Sequence, residues 1–272
     1  MAGNSVPAFF GAKARSFKPP GVDVTFLSDI SGSMGPYLSF FVSTSTVSAL
    51  ELALRDQGVG ITSSNRYSFA IAGNLSGTTA ESSVFVNGNA TRWATGSQVL
   101  DGSANLPVLR AGPDNEDMGA GSNYITSTDR GYTSDNAQII LAGSDEQSYG
   151  SAFSASPTYP HRYVGIHGVT FSVTEPAGPN PVPAGVLIGF VYTTDTTGVA
   201  IYSDAGTVNY RLDVPVANFT ATAAGVGTSS NLQINIDRAA DTNGAIYSIN
   251  AGFGVIATSL GTVLGSLLYA SA

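Results

Sequence analysis

The sequence predicts an α/β fold with a mainly parallel sheet. Short apolar runs rich in β-branched and aromatic residues, such as residues 22–28 (VDVTFLS), are typical of strands buried on both faces. Residues 37–58 follow this run with apolar side chains at helical spacing, and Gly58 ends the pattern. Because alternating buried strands and helices pack as layers, the two patterns together favour a parallel sheet covered by helices.

Further apolar runs predict the other strands of this sheet. Residues 66–73 (RYSFAIAG) and 82–88 (SSVFVNG) are bounded by Gly and Asn turns. Later strands are predicted at residues 136–147 (NAQIILAGSDEQ), 162–173 (RYVGIHGVTFSV) and 231–237 (NLQINID). The recurrence of such runs along the chain indicates one large sheet.

Three other segments depart from this alternation. Residues 1–21 form a predicted N-terminal arm, which contains prolines and has no helical periodicity. A Pro/Gly linker followed by hairpin patterns makes residues 174–236 a predicted β-hairpin insertion in a domain that covers residues 22–272. Residues 242–249 (TNGAIYSI) predict a turn, and residues 250–269 predict a closing helix.

The composition excludes several classes of function. The chain has 272 residues, of which 11% are charged, and its net charge of −8 disfavours binding to nucleic-acid phosphates. It has no cysteine, so neither disulfides nor thiolate zinc sites form. Residues 245–272 are uncharged but sided at helical spacing, which favours a core helix over a membrane span. His161 and His167 are too isolated in sequence to suggest a zinc site, and we expect His167 and Trp93 to serve packing, with an interface anchor as the alternative for Trp93.

The turn after the first predicted strand carries the clearest functional pattern. Asp29, Ser31 and Ser33 place one acid and two hydroxyls two residues apart. Ligands of α/β sheets bind beyond the carboxyl ends of strands, and Mg²⁺ prefers such oxygen ligands. Asp145 also ends an apolar run, so we expect it at the same edge. The alternative is that Asp29 caps the following helix while both serines satisfy turn amides.

A further ligand is expected from residues 112–125 (GPDNEDMGAGSNYI), which are predicted to form a loop. Four of its side chains offer an oxygen: Asp114, Glu116, Asp117 and Ser122. The residue types alone do not choose among the four.

Residues 23–35 (DVTFLSDISGSMG) resemble the opening of a von Willebrand factor A domain, and DISGS is similar to the Asp-x-Ser-x-Ser of its metal-ion-dependent adhesion site. IILAGSD is similar to a later strand of that family, with Ser144 in place of a Thr. The resemblance implies a Rossmann-like sheet that binds Mg²⁺, or Mn²⁺ or Ca²⁺. The ligands it implies are Asp29, Ser31, Ser33, Glu116 and Asp145. Glu116 is the favoured acid of the second segment, and Asp114, Asp117 and Ser122 stay open.

The resemblance and the composition together favour a non-enzymatic, metal-dependent adhesion module that binds a carboxylate or a sugar oxygen of its partner. Few charges, many Gly, Ser and Thr residues and no signal-peptide core in residues 1–21 favour a structural or host-attachment subunit of a virion. The arm would contact neighbouring subunits. The alternatives are a bacterial cell-surface adhesin, a metal-dependent hydrolase that uses the same acids, and a purely structural subunit without metal.

Overall fold

A computed structural model describes most of the first 167 residues and parts of the remainder. The described residues are 21–56, 58–59, 63–73, 79–112, 116–144, 152–167, 170–174, 187–192, 198–204, 207–211, 220–224, 235, 238–239, 241–242, 244–248 and 256. The predicted arm and nearly all of the predicted closing helix therefore lie outside the described residues.

The helices and strands of the described residues alternate along the first half of the chain. The helices are α1 (Leu38–Phe41), α2 (Thr44–Asp56), α3 (Gly96–Leu100) and α4 (Met118–Ser127), and a 3-10 turn covers Gly32–Met34. The strands are β1 (Val22–Ser28), β2 (Arg66–Ile71), β3 (Ala80–Ser82), β4 (Val84–Val86), β5 (Asn89–Thr91), β6 (Ala94–Thr95), β7 (Ala104–Asn105), β8 (Ala137–Ser144), β9 (Arg162–His167), β10 (Thr170–Thr174), β11 (Leu187–Tyr192), β12 (Gly198–Asp204), β13 (Thr207–Arg211), β14 (Thr220–Ala224) and β15 (Ala245–Ser248).

Ten of these strands form one sheet in the order β13-β12-β11-β15-β9-β8-β1-β2-β3, with β6 also paired to β2. The five central strands, from β15 to β2, run parallel to one another. Antiparallel strands extend both edges, namely β3 and β6 beside β2 and β11 to β13 beyond β15. The protein is therefore mixed α/β with a mainly parallel central sheet, as the sequence predicts.

Helices cover both faces of β1, which is why every one of its residues is buried. Val24 and Phe26 belong to the main apolar core together with residues of α2, and the Phe26 ring stacks on Phe69 at 5.0 Å. On the opposite face, Leu27 packs against Gly121 of α4, where an added Cβ would lie 2.7 Å from the leucine side chain. This two-sided burial explains the nearly continuous apolar run of β1.

The helix predicted over residues 37–58 is interrupted. Val42 has non-helical dihedral angles, and α2 starts afresh at Thr44. The Ser43 hydroxyl accepts a hydrogen bond from the Thr46 backbone amide at 3.1 Å, which satisfies one of the free donors of a new helix. At the other end, Gly58 has a φ of 64° and closes the helix as predicted.

Residues 112–125 do not form the predicted loop throughout, because α4 begins at Met118. The Asp117 side chain accepts a hydrogen bond from the Ala120 amide at 2.8 Å and so caps this helix. Gly119, Ala120 and Gly121 are buried, and their small side chains let the helix lie close to the sheet.

One predicted strand and one predicted turn near the end of the domain are wrong. Asn235, in the predicted strand 231–237, is helical, as are Arg238 and Ala239 beyond it. The predicted turn at 242–249 instead contains β15, which pairs with β9. A short apolar run does not distinguish a buried helix from a buried strand, so periodicity alone misplaced the last strand.

The run at residues 162–173 also divides, since β9 lies in the main sheet and β10 pairs with β14 in a separate two-stranded sheet. Likewise β4, within predicted strand 82–88, belongs to a small sheet with β5 and β7. The hairpins predicted in residues 174–236 are present, and β11 joins them to the main sheet beside β15. Within the described parts of the chain, every helix is too short or too polar to cross a bilayer.

Candidate metal site

Asp29 lies directly beyond the carboxyl end of β1, at the centre of the parallel sheet. Its backbone amide donates to the Gly143 carbonyl at 2.9 Å, which fixes the turn against the end of β8. The residue is fully buried. The structure therefore places this acid where neighbouring parallel strands end together, which is the usual ligand position in α/β sheets.

Two described donors hold the Asp29 carboxylate. Oδ1 accepts from the Ser31 backbone amide at 2.6 Å, and Oδ2 accepts from the Ser144 hydroxyl at 2.7 Å. A buried carboxylate needs such donors because it has lost its water shell. The contact to Ser144, 115 residues away, goes beyond a local turn and joins the ends of β1 and β8.

Ser31 and Ser33 lie next to each other just beyond the end of β1. Their Oγ atoms lie 3.1 Å apart, with Ser31 buried and Ser33 exposed. Ser31 is the N-cap residue of the 3-10 turn, and Ser33 lies within it. An added Cβ at Gly32 would meet no atom of the described residues within 4 Å, so with respect to that part of the chain the turn is open at this glycine.

The segment that contains Glu116 and Asp117 lies next to this edge. Asp117 and Gly73 exchange two backbone hydrogen bonds, of 2.9 and 3.1 Å, just beyond the end of β2. Since β2 is the neighbour of β1, the segment is close to the carboxyl end of the central strands. The Asp117 carboxylate caps α4, and Glu116 is half-buried. Asp114 lies outside the described residues.

Ser122 has a buried hydroxyl whose Oγ has no hydrogen-bond partner in the part of the chain that the structure describes. It follows Gly121, which packs on Leu27 near the end of β1. A buried hydroxyl without a partner costs free energy, commonly about 1–3 kcal/mol. Its position and its missing partner make it a stronger candidate ligand than its sequence alone indicated.

The side-chain oxygen atoms at this edge are suitable ligands for a hard divalent cation. Asp29, Ser31, Ser33 and Ser144 supply oxygen atoms alone, the ligand type that Mg²⁺ and Ca²⁺ prefer over transition metals. Asp145, the predicted second acid, lies outside the described residues. Among the residues that are described, no three acidic or histidine side chains cluster as a metal site.

Sequence reasoning missed an ionic cluster on the same sheet. Arg130, whose side chain is fully buried, donates to Glu81 at 2.8 Å and to the Thr25 hydroxyl at 2.7 Å. Arg92 also contacts Glu81 at 2.6 Å. Burial acts to raise the pKa of Glu81, but the hydrogen bonds and charges of the two guanidiniums outweigh it and lower that pKa. The partners are 49 and 105 residues apart in sequence, so no local pattern indicated them.

Trp93, predicted to serve packing, also belongs to this cluster. The guanidiniums of Arg66 and Arg130 lie over its ring, at 4.7 and 5.5 Å from the centroid. Its Nε1 donates to the Arg130 carbonyl at 2.7 Å. The ring is therefore a packing element with cation–π contacts.

No protein-family model matches the chain, and no curated protein matches it. Among solved structures, it is similar to the pilus adhesin SpaC from Lactobacillus rhamnosus GG in its open conformation, with 12% identity and a TM-score of 0.41. That match covers 93% of this chain and 30% of SpaC, so the chain spans about a third of the adhesin's length.

A second form of SpaC gives a TM-score of 0.37, with 12% identity over 93% of this chain and 31% of SpaC. Proximal thread matrix protein 1 from the mussel byssus gives a TM-score of 0.30, with 14% identity over 54% of this chain and 38% of that protein. Likenesses at these TM-scores define neither the fold nor the function of this chain.

Proposed function

We propose that the chain is a non-enzymatic, metal-dependent adhesion module related to von Willebrand factor A domains. The observation that carries the proposal is the buried Asp29 carboxylate beside the Ser31, Ser33 and Ser144 hydroxyls, at the carboxyl end of the central strands. The order of six adjacent strands, β3-β2-β1-β8-β9-β15, supports a Rossmann-like sheet. Starting at β1, the chain adds β2 and β3 on one side and β8, β9 and β15 on the other, as in doubly wound sheets.

Asp29, Ser31, Ser33, Glu116 and Asp145 would hold the cation, with Asp114, Asp117 and Ser122 as alternatives for Glu116. When bound, Mg²⁺ supplies a position that a partner's carboxylate or sugar oxygen would fill. The chain's own residues fix the geometry. Ser144 and the Ser31 amide orient the Asp29 carboxylate, and the exposed Ser33 marks the open side.

The biological setting we propose is a structural or host-attachment subunit of a virion, with a bacterial cell surface as the alternative. The support is compositional, since 11% charged residues and 32 glycines are unusual for an ordinary soluble domain. Mass spectrometry of the particle or membrane with which the native protein copurifies separates the two settings. Recovery with virion proteins supports the first, and recovery with cell-envelope proteins supports the second.

Thermal unfolding with added metal tests the site itself. Mg²⁺ or Mn²⁺ that binds only the folded state would raise the melting temperature, by an amount equivalent to about 2.7 kcal/mol at a hundredfold excess over Kd. We expect this rise in the wild type and in Asp56→Asn, a control at the exposed end of α2. We expect it to disappear in Asp29→Asn, which keeps a side chain of the same shape. An equal rise in Asp29→Asn would overturn the metal site.

A metal-dependent hydrolase is the second candidate, because β9 places His167 in register with Ser144 at the same edge of the sheet. A histidine there would serve as a general base for a metal-activated water. Hydrolysis of ester or phosphoester substrates that requires Mg²⁺ and is lost in His167→Ala would establish this alternative. Metal-dependent partner binding that survives His167→Ala, without turnover, would support adhesion.

A further inference from the structure

A groove of about 690 Å³ lies beside the turn that carries Ser31 and Ser33. One of its walls is formed by α1 and the start of α2, and the other is formed by residues 104–111. We call it the α1 groove.

The α1 groove is continuous with the candidate metal site. Gly35, the C-cap of the 3-10 turn, lines the groove, and an added Cβ there would lie 4.0 Å from the Ala111 side chain of the opposite wall. The Gly112 amide donates to the Ile30 carbonyl at 2.7 Å, which attaches this wall to the chain directly after Asp29. A bound segment can therefore contact the groove and the turn at the same time.

Apolar side chains dominate the larger lining residues of the groove. They are Leu38, Val42, Leu106, Pro107, Val108 and Leu109. Val108 is 79% exposed, the most of any large apolar side chain among the described residues. Phe85, which is 45% exposed, extends the apolar surface, because β4 pairs it with Asn105 of the wall. Exposed apolar surface around a groove is typical of an interaction site.

The charge of the groove selects among its possible occupants. Arg110 is the only charged side chain among the described lining residues, and it is exposed. A partner with an acidic residue complements both this charge and that of the proposed cation. The predicted N-terminal arm does not, because residues 1–20 contain three basic residues and no acid.

We propose that the α1 groove binds an acidic peptide segment of a partner protein. An apolar side chain of this segment would fill the groove, and a neighbouring carboxylate would reach the cation at the turn. This inference rests on the proposed function and narrows it, because that function admits a carboxylate or a sugar oxygen. A sugar would place hydroxyls against apolar side chains that cannot hydrogen-bond them, whereas an aliphatic or aromatic side chain gains from burial there.

A panel of synthetic peptides tests the proposal by fluorescence anisotropy. Each labelled peptide carries one Glu, followed after zero to three glycines by a Leu or a Phe. In Mg²⁺, at least one peptide should bind with a Kd of about 1 mM or lower. The same peptide with Ser in place of its Leu or Phe should bind about tenfold or more weakly, because the burial of that side chain is lost.

Variants at exposed positions locate the binding without disturbing the core. We expect Val108→Ser to weaken binding of the peptide by about fivefold or more. Leu52→Ser is the matched control, since Leu52 is 50% exposed on α2 and is not a lining residue, and it should bind as the wild type does.

Arg110→Gln is a second variant, which tests the charge of the groove. It should weaken binding by about threefold at low salt and reduce the dependence of the affinity on salt, because an exposed charge is lost. Arg55→Gln, at the exposed end of α2, is its control and should leave both the affinity and its salt dependence unchanged.

The outcomes separate the groove from the metal site. If Mg²⁺ raises the melting temperature but no peptide binds up to about 5 mM, the groove proposal is overturned and the metal site stands. Binding that is equal in EDTA and in Mg²⁺, and that Val108→Ser weakens, would confirm the groove and contradict its link to a cation.

Three further results would overturn the groove proposal. One is equal affinity of the Leu or Phe peptides and their Ser counterparts. Another is unchanged affinity in both Val108→Ser and Arg110→Gln. The third is a concentration-dependent dimer, measured by light scattering, that Val108→Ser abolishes, because a second copy of the chain would then occupy the groove.

Discussion

The two ends of β1 each carry a fully buried aspartate, and the two are held in different ways. The Asp23 carboxylate receives the Arg66 guanidinium through bonds of 2.9 and 2.5 Å, with further bonds from the Thr133 amide and the Asn136 side chain. At Asp29, a backbone amide and the Ser144 hydroxyl are among the groups that contact the carboxylate. The two aspartates of this strand thus differ in the guanidinium that contacts Asp23 and in the hydroxyl of β8 that contacts Asp29.

This difference separates a structural role from a binding role. A guanidinium cancels the charge of its carboxylate inside the protein, so Asp23 serves the fold. An amide and a hydroxyl hold the Asp29 carboxylate at the carboxyl end of the parallel strands, where we propose that a divalent cation binds. We therefore expect the two aspartates to respond in opposite ways to mutation and to metal.

The largest effect is expected at Asp23. Asp23→Asn leaves Arg66 without its ionic partner beside a buried amide, and breaking such a buried pair costs about 3–5 kcal/mol. Asp29→Asn in EDTA keeps one acceptor oxygen and replaces the other by an NH₂ donor, from which the Ser144 hydroxyl can accept after rotation, so this variant should cost only about 1 kcal/mol. Urea unfolding of the two variants measures both values. A larger loss in Asp29→Asn than in Asp23→Asn would reverse the assignment of roles.

The second prediction concerns pH at the amino end of the sheet. Burial lowers the pKa of His161 to about 4, with Arg130 and Arg238 acting in the same direction and the Tyr159 carbonyl and Asp23 opposing them. The unfolded chain, with a pKa near 6.5, binds this proton first as the pH falls. The contribution of neutral His161 to the free energy of unfolding is therefore fully present above about pH 6.5. It decreases as the pH falls to about 4, by about 3 kcal/mol in total.

His161→Gln isolates this contribution, because the carboxylates of the chain also titrate in that range. We expect the free energy of unfolding to fall more steeply between pH 7 and pH 4 in the wild type than in the variant. Parallel profiles for the two proteins would mean that His161 is not held neutral.

Close packing gives the third prediction. An added Cβ at Gly143 would lie 1.8 Å from the Phe41 ring, which is fully buried. Gly143→Ala should therefore destabilise the protein by about 2 kcal/mol through overpacking. Gly32→Ala is the control in the same region, since its Cβ meets no atom, and it should change stability by less than about 0.5 kcal/mol. If the two variants were equally stable, the close contact between α1 and β8 would not hold.

The sequence predicted what local patterns determine. The apolar runs of β1 and β8 are buried on both faces, so periodicity and composition located them, and Asp29 followed from the end of β1. The pairing of Ser144 with Asp29 and of Arg130 with Glu81 depends on how strands lie side by side, which no local window contains. Asn235, Arg238 and Ala239, which are helical, show the same limit, because a short apolar run is compatible with a helix and with a strand.

The smallest change in the free energy of unfolding is expected for Ser122→Ala, and it is a gain in stability. Its buried Oγ has no partner among the described residues, so Ser122→Ala in EDTA removes an unsatisfied group and also improves helix propensity in α4. We expect the free energy of unfolding to rise by about 1 kcal/mol.

Thr126→Val on the same helix is the control. The Thr126 hydroxyl donates to the Ser122 carbonyl at 2.9 Å, and the loss of this hydrogen bond should cost about 1 kcal/mol. Calorimetric unfolding of both variants, with and without Mg²⁺, measures the two changes in the free energy of unfolding. If Ser122 is a ligand, the alanine variant gains stability without metal and loses part of the stabilisation by Mg²⁺. A loss of stability in EDTA as large as that of Thr126→Val would show that the hydroxyl is already satisfied within the protein.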